Sequence, residues 1–397
     1  MSGPLEGTLV LDLSRVLAGP WASQALADLG ARVIKVERPG TGDDTRAWGP
    51  PDLQCGDASE SAYFLCANRG KESIAIDFKD PRGRQIILDL ACKADILIEN
   101  YKVGGLAAYG LDYESVKAVN PAIVYCSISG FGQTGPYAHK PGYDFVIQAM
   151  SGLMSVTGTE QATKVGVAMS DLVTGLYASI GILGAYTRAR ETGQGEYIDI
   201  SLLDSQMAML ANQASNYLIT GKAPGFLGNA HPNIVPYQSF ETSDRPIVVA
   251  VGNDTQFVSF CQSIGLPELA RDPRYCSNSG RVENRDSLVP KISRALAKHS
   301  SQYWLKELEV PAAPVNSIDE AFANPQVIAR GNLLETERED IGKVPGVRSP
   351  IRFQNDQPDQ HLAPPALGGS TITILHELGI ESEEIEQLLA AGVVGQH

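Results

Sequence analysis

Five short apolar runs, at residues 8–14, 32–37, 73–77, 95–100 and 123–129, alternate with stretches of helical spacing. No other feature constrains the fold as much. A strand that reads as a nearly continuous apolar run has no solvent face, so both sides of its sheet must be covered. Helices between successive strands supply that cover and make the sheet parallel. The helices expected here are residues 21–30, with Gly30 as the stop, 81–92, opened by Asp80 as cap and Pro81 in the first turn, and 112–119. In such a sheet ligands bind beyond the carboxyl ends of the strands.

The pattern resumes with a helix at 172–185, a strand at 196–202 and a long helix at 203–218. The Gly/Pro-rich stretch 220–228 is the best candidate boundary. A second unit then shows a strand at 246–251, helices at 255–264 and 285–297, and an extended segment at 311–315. Residues 345–365 read as loop, and 382–391 as a closing helix. At about 100–200 residues per domain, 397 residues suit two domains. The expected division is a large domain at 1–220, a small one at 221–330, and a segment 331–397 that returns to the large domain.

A formal net charge of −14 with no Lys/Arg block argues against a nucleic-acid partner. Six scattered cysteines form no Cys-x-x-Cys pair, so neither a zinc site nor a disulfide framework is expected. The N-terminal residues lack a basic and then apolar leader, and no window approaches the ~18 apolar residues of a membrane span. The expected location is the cytoplasm, or the mitochondrial matrix if a transit peptide has been removed.

One carboxylate stands out. Asp171 lies in an apolar, small-residue run, Val165-Gly-Val-Ala-Met-Ser-Asp-Leu-Val173, with no basic residue beside it and a helix directly after it. Burial there is costly unless the carboxylate is hydrogen-bonded or paired. It reads either as the N-cap of the helix or as a desolvated nucleophile. Other chemistries lack a starting point. Glu37 ends a strand where an acid could bind ribose, but Ser14-Arg-Val-Leu-Ala-Gly-Pro20 holds one glycine and not the three of a dinucleotide fingerprint. Gly130-Phe-Gly-Gln-Thr-Gly135 matches the fingerprint literally, yet Pro136, Pro141 and Gly142 follow it in place of a helix. Its glycines read as a turn passing close to a ligand. Neither a Gly-x-Ser-x-Gly elbow nor a P-loop occurs.

Taken in order, several segments resemble the class III CoA-transferases. They are residues 11–20, 33–43, 73–79, 99–101, Ser129-Gly-Phe-Gly-Gln-Thr-Gly-Pro136, Gly142-Tyr-Asp144 and Val167-Ala-Met-Ser-Asp171. Residues 214–218, 231–240 and 388–397 look most like the succinate–hydroxymethylglutarate (glutarate) branch. The resemblance implies a Rossmann-like large domain and a smaller α/β domain, with a ring-shaped chain in an interlocked homodimer. It implies CoA transfer from an acyl-CoA such as succinyl-CoA to a short dicarboxylate such as itaconate, glutarate or mesaconate. CoA is then a thioester substrate, and neither a metal nor a nucleotide cofactor is expected.

The resemblance also assigns residues. Asp171 becomes the nucleophile, which passes through an aspartyl–acyl anhydride and an aspartyl-CoA thioester. Val16, Leu17 and Ala18 would contact CoA through the backbone, Arg38 its phosphate, Ile76 and Lys79 the adenosine, and Asn100, Tyr101 and Lys102 the pantetheine. Two basic residues of some relatives fall here at Ala108 and Pro141, so Lys102 or Lys140 is expected to replace them. Tyr143 and Asp144 would line the acyl site. Asn229 and His231 would meet the remote carboxylate, with Arg46 and Arg69 as charged alternatives. The competing readings are an α-methylacyl-CoA racemase, which places a histidine where Tyr143 stands, and a non-catalytic CoA-binding protein.

Overall fold

The computed structural model describes residues 3–355, 358 and 362–396. The chain forms two compact units. The first takes residues 1–151, 166–210 and 327–397, and the second 152–165 and 211–326. The crossing thus comes at residue 210 and not at 220, and a short segment visits the second unit before the first is complete.

In the first unit the apolar runs form β1 (Leu9–Asp12), β2 (Arg32–Glu37), β3 (Lys71–Ile76), β4 (Ile96–Glu99), β5 (Val124–Ser129) and β6 (Glu196–Ser201). They pair in parallel in the order β3-β2-β1-β4-β5-β6, and Val394–Gly395 adds an antiparallel edge to β3. This is the doubly wound order, in which the chain reverses direction across the sheet between β1 and β4. Beyond the carboxyl ends of those two strands, diverging connections leave a crevice.

Four helices place the site: α1 (Ala18–Ala27), α2 (Pro81–Lys93), α3 (Asp144–Met150) and α4 (Met169–Thr192). Ala22 and Leu26 of α1 and Ala178 and Ile182 of α4 bury against one face of the sheet. Ile86, Ile87 and Leu90 of α2 cover the other face with Ile374 and Leu388 from the C-terminal helices. The apolar strand pattern has its cause here, because helices cover both faces of the sheet and the edge strand β6 alone among these six stays mostly part-exposed. Among the described residues no helix is long and apolar enough to cross a membrane.

The second unit is built on an antiparallel sheet in which Ile247–Ala250 lies between Tyr237–Phe240 and Ala312–Pro314. Its core includes Phe257, Phe260, Leu288, Ile292 and Trp304. Two expectations need correction. The long helix at 203–218 is two helices, Leu202–Ala208 and Ala211–Thr220, broken where Ala211 takes φ 45°. Helical periodicity continues through the break, but the two halves serve different units. The loop-rich stretch from 345 begins inside a β-ribbon, Leu333–Arg338 with Gly342–Val347, in which Leu334, Thr336 and Val344 are buried.

Candidate active site

The crevice at the switch point is fastened by one residue. Asn100, just past β4, accepts the Arg15 N–H through Oδ1 (3.0 Å) and donates through Nδ2 to the Arg15 carbonyl (2.6 Å). Two clefts open beside this staple. One is lined by Arg15–Ala18, Asn100–Val103, Ser129, Gly130, residues 138–143 and Asp171. The other is lined by residues 35–38, Asp43, residues 76–79, Tyr101 and Tyr109. Arg15 and Tyr101 border both, with the guanidinium 5.4 Å from the Tyr101 ring centre.

The structure therefore brings together Val16, Leu17, Ala18, Asn100, Tyr101, Lys102, Tyr143 and Asp171 in the first cleft. Arg38, Ile76, Lys79 and Tyr101 fall in the second. Lys102 and Lys140 both reach the first cleft, where Pro141 also lies. Asn229 and His231 belong to the second unit. There Asn229 Nδ2 donates to Ser239 Oγ (2.8 Å), and His231 Nδ1 accepts the Asn233 N–H (3.0 Å).

Asp171 is not the cap of its helix. It is the third residue of α4, and the N-cap position is Ala168, which has no side chain to cap with. The cap comes from α3: Asp144 Oδ1 accepts the Ser170 N–H at 2.8 Å, while its Oδ2 takes Gln148 Nε2 at 2.8 Å. The first turn of a helix leaves N–H groups that an anion can satisfy. Asp144 does so from 26 residues earlier in the chain, and the Asp171 carboxylate has no hydrogen-bond partner among the described residues. Burial pushes the Asp171 carboxyl up to about 7, and the charge of Asp144 adds to the effect. Asp144 is thus a brace for the helix carrying Asp171.

Glycines set the approach of these parts. At Gly175, one turn beyond Asp171, an added Cβ would lie 2.7 Å from the Ala18 carbonyl oxygen and 3.1 Å from Trp21 Cβ. Only glycine lets α4 come this close to the start of α1. Gly130 and Gly142 meet back to back, since a Cβ on either would lie 2.6 Å from the other's Cα. Contact between the two backbones requires glycine at both positions, and both also line the cleft.

Two charged alternatives, Arg46 and Arg69, are already engaged, and so is Glu37, in line with the missing dinucleotide fingerprint. Glu37 binds Arg46 (2.7 Å) and Ser73 (2.7 Å) and is not free for a ribose. Arg46 pairs with Glu37 and Glu60, and Arg69 with Asp28 (2.7 Å), all largely buried, so neither arginine is a free cation for a substrate carboxylate. Three residues to which the sequence assigned no role stand at the site. Arg15 and His139 line the first cleft. Tyr63 stacks edge-on to Trp48 at 5.1 Å, and burial, then the charge of Asp171, push its phenol up to about 12. A hairpin at residues 52–61, turned by Gly56 at φ 59°, leads into the short helix carrying Tyr63, and no local pattern joins that helix to Asp171.

Comparisons with known proteins agree with this geometry. The model of CoA-transferase family III matches residues 5–371. A succinate–glutarate CoA-transferase of Agrobacterium fabrum is 49% identical over 94% of this chain and 96% of its own. The human succinyl-CoA:glutarate CoA-transferase is 46% identical over 99% of this chain and 90% of its own. The crystal structure of a CAIB/BAIF family protein from Brucella suis superposes with a TM-score of 0.84 at 46% identity, covering 95% of this chain and all of that one. The doubly wound sheet, the crevice at its switch point and the matched length of sequence agree: this chain belongs to CoA-transferase family III.

Proposed function

We propose that this CoA-transferase moves CoA from succinyl-CoA to a short dicarboxylate such as glutarate, with Asp171 as the nucleophile. The observation that carries the assignment is the uncapped, proton-avid carboxylate in the cleft, left free because Asp144 caps its helix. A carboxylate with raised proton affinity is a better nucleophile once ionised, and near pH 7 a large share of it is ionised. Asp171 attacks the thioester carbonyl and forms a mixed anhydride, releasing CoA thiolate. The thiolate attacks the aspartyl carbonyl, which frees the donor acid and leaves an aspartyl-CoA thioester. The acceptor carboxylate then attacks that thioester, and the thiolate takes the acceptor acyl group and regenerates Asp171. Each bond broken is matched by one of similar reactivity, so no ATP is needed.

Acyl-CoA binding is assigned to Val16, Leu17, Ala18, Asn100, Tyr101 and Lys102 near the thioester and to Arg38, Ile76 and Lys79 at the far end, supported by their grouping in adjoining clefts. Lys140, in the first cleft, is assigned with Lys102 to the role of the basic residues missing at Ala108 and Pro141. The choice of dicarboxylate is supported by the names of the two relatives at 46–49% identity. His231 is assigned to the remote carboxylate, with Asn229. Burial and nearby Arg285 lower the His231 pKa, and Nδ1 accepts a backbone N–H, so a neutral ring would offer Nε2–H as the donor. Purified enzyme given succinyl-CoA with glutarate, itaconate, mesaconate or butyrate should form the dicarboxylate thioesters far faster than butyryl-CoA. In His231→Ala, KM should rise at least about fivefold for the dicarboxylates and little for butyrate. Equal rates on butyrate would overturn the dicarboxylate assignment, and equal losses would make His231 structural.

A second reading, proton exchange beside the thioester, has His139 in its favour, a second base in the cleft of Asp171. Deuterium uptake at that carbon in heavy water, as fast as transfer, would select it.

A homodimer is proposed from the surface of the first unit. Phe145, Val146 and Met150 on α3, Leu176, Tyr177 and Ile180 on α4, and neighbouring Met207 and Met209 are all exposed. Apolar residues concentrated on packed neighbouring helices mark an interaction face. The interlocked, ring-shaped form rests on family resemblance. Sedimentation equilibrium should return twice the chain mass at micromolar concentration, and a monomer would remove the dimer.

A further inference from the structure

We propose that the buried pair Lys35–Asp43 is a positioning device that holds residues 14–17 in the strained shape the reaction uses. The proposal rests on the assignment of residues 16–18 to acyl-CoA. Val16 has φ 70°, the left-handed region, where a β-branched residue is strained. Such a residue persists only when its surroundings over-determine it. Here one ion pair supplies two hooks. Lys35 Nζ donates to the Ser14 carbonyl at 2.8 Å, and both Asp43 carboxylate oxygens accept the Val16 N–H at 3.2 Å. The two side chains meet at 2.9 Å and are 0% and 1% exposed.

Asn100 takes both the N–H and the carbonyl of Arg15 between those hooks. Every backbone group from the Ser14 carbonyl to the Val16 N–H is therefore tied down. Beyond the twist, the N–H groups of Leu17, Ala18 and Gly19 have no protein acceptor among the described residues, and Leu17 and Ala18 line the cleft of Asp171. Burial would raise the Asp43 pKa, but Lys35 and the Thr45 N–H and hydroxyl outweigh it and hold the carboxyl down at about 2. The fork is therefore an ion pair at neutral pH. Asp43 N–H is donated in turn to Glu37 Oε2 (2.9 Å), which Arg46 holds, so the fork is anchored in a wider buried network. Lys35 and Asp43 border the second cleft, but with their side chains 0% and 1% exposed both would act through Val16.

The test is a double-variant cycle with Val16→Gly, because glycine adopts φ +70° without strain and needs no fork. Asp43→Asn should raise KM for succinyl-CoA at least about tenfold with kcat within about threefold, since a misplaced binding loop weakens ground and transition states alike. In the Val16→Gly background the same change should raise KM no more than about threefold. If Asp43→Asn leaves Lys35 too costly to bury, Lys35→Met combined with Asp43→Asn removes both charges and is read in the same two backgrounds. Equal KM increases in both backgrounds, or a fall in kcat alone, would overturn the proposal. Val16→Gly alone should raise Tm, because it removes the strain while the ion pair remains. A lower Tm would show that packing holds Val16, and that outcome also overturns the proposal. Loss of the underlying assignment looks different: succinyl-CoA affinity would then be indifferent to every one of these changes.

Discussion

Asp171→Asn should abolish CoA transfer, with turnover falling at least about 10⁴-fold, and should stabilise the folded protein at alkaline pH. The first effect follows because an amide cannot form the anhydride or the aspartyl thioester. The second has its own sign. The carboxyl is held near 7 in the fold against 3.8 in an unfolded chain, so the native state binds the proton more tightly. Stability is then lost as pH rises from about 4 to 7 and stays lost above. Replacing the group should recover about 1–2 kcal/mol at pH 8 and almost nothing near pH 4. That is well below the ~4 kcal/mol of a fully dry site, because Asp171 borders the cleft and is only part-buried. Differential scanning fluorimetry across pH reads the stability. Hydroxylamine trapping of wild-type enzyme incubated with succinyl-CoA should mark a peptide containing residue 171. Substantial turnover in the variant, or a label elsewhere, would remove Asp171 from the chemistry.

Gly175→Ala should lower kcat about 10–100-fold, although residue 175 lies a full turn from the reacting carboxylate. The added methyl group falls 2.7 Å from the Ala18 carbonyl oxygen, a backbone atom that cannot swing aside, so α4 must move away from α1. The movement separates Asp171 from residues 16–18, and a misplacement near 1 Å can cost about 10²-fold in rate. Overpacking should also lower stability by about 1–3 kcal/mol. Gly181→Ala is the control on the same helix, since its Cβ would sit at an ordinary 3.6 Å from Ile198. It should leave turnover within about twofold and, by removing a helical glycine, raise stability by up to about 1 kcal/mol. Equal activity in the two variants would show that the spacing of α1 and α4 does not govern the reaction.

The carboxylates at 144 and 171 illustrate how little of a site is local. From its own stretch of chain, Asp171 at the head of an apolar helix reads as a cap before it reads as a nucleophile. The ambiguity ends only because Asp144 reaches Ser170 from another helix, and no spacing rule connects the two positions. Arg46 and Arg69 look available in sequence for the same reason that Glu37 does: charge is visible in a sequence, but pairing is not. The glycines at 130 and 142 announce an unusual backbone, yet only their contact explains it.

By itself the sequence determined the parallel sheet, strand by strand from β1 to β6, and the segments that supply the site. Burial on both faces writes a strand as a continuous apolar run, and that record needs no knowledge of neighbours. It also determined the family, since short motifs in fixed order survive wherever the crevice is built the same way. Tertiary structure alone decided which charges cancel, that the helix after Ser201 divides between two units at residue 210, and which of the marked residues meet. Hydrogen bonds and ion pairs join groups tens to hundreds of residues apart, and their energies depend on distances over a few ångströms. Periodicity along a chain reports how deeply each residue is buried, and carries no information about which partner it finds there.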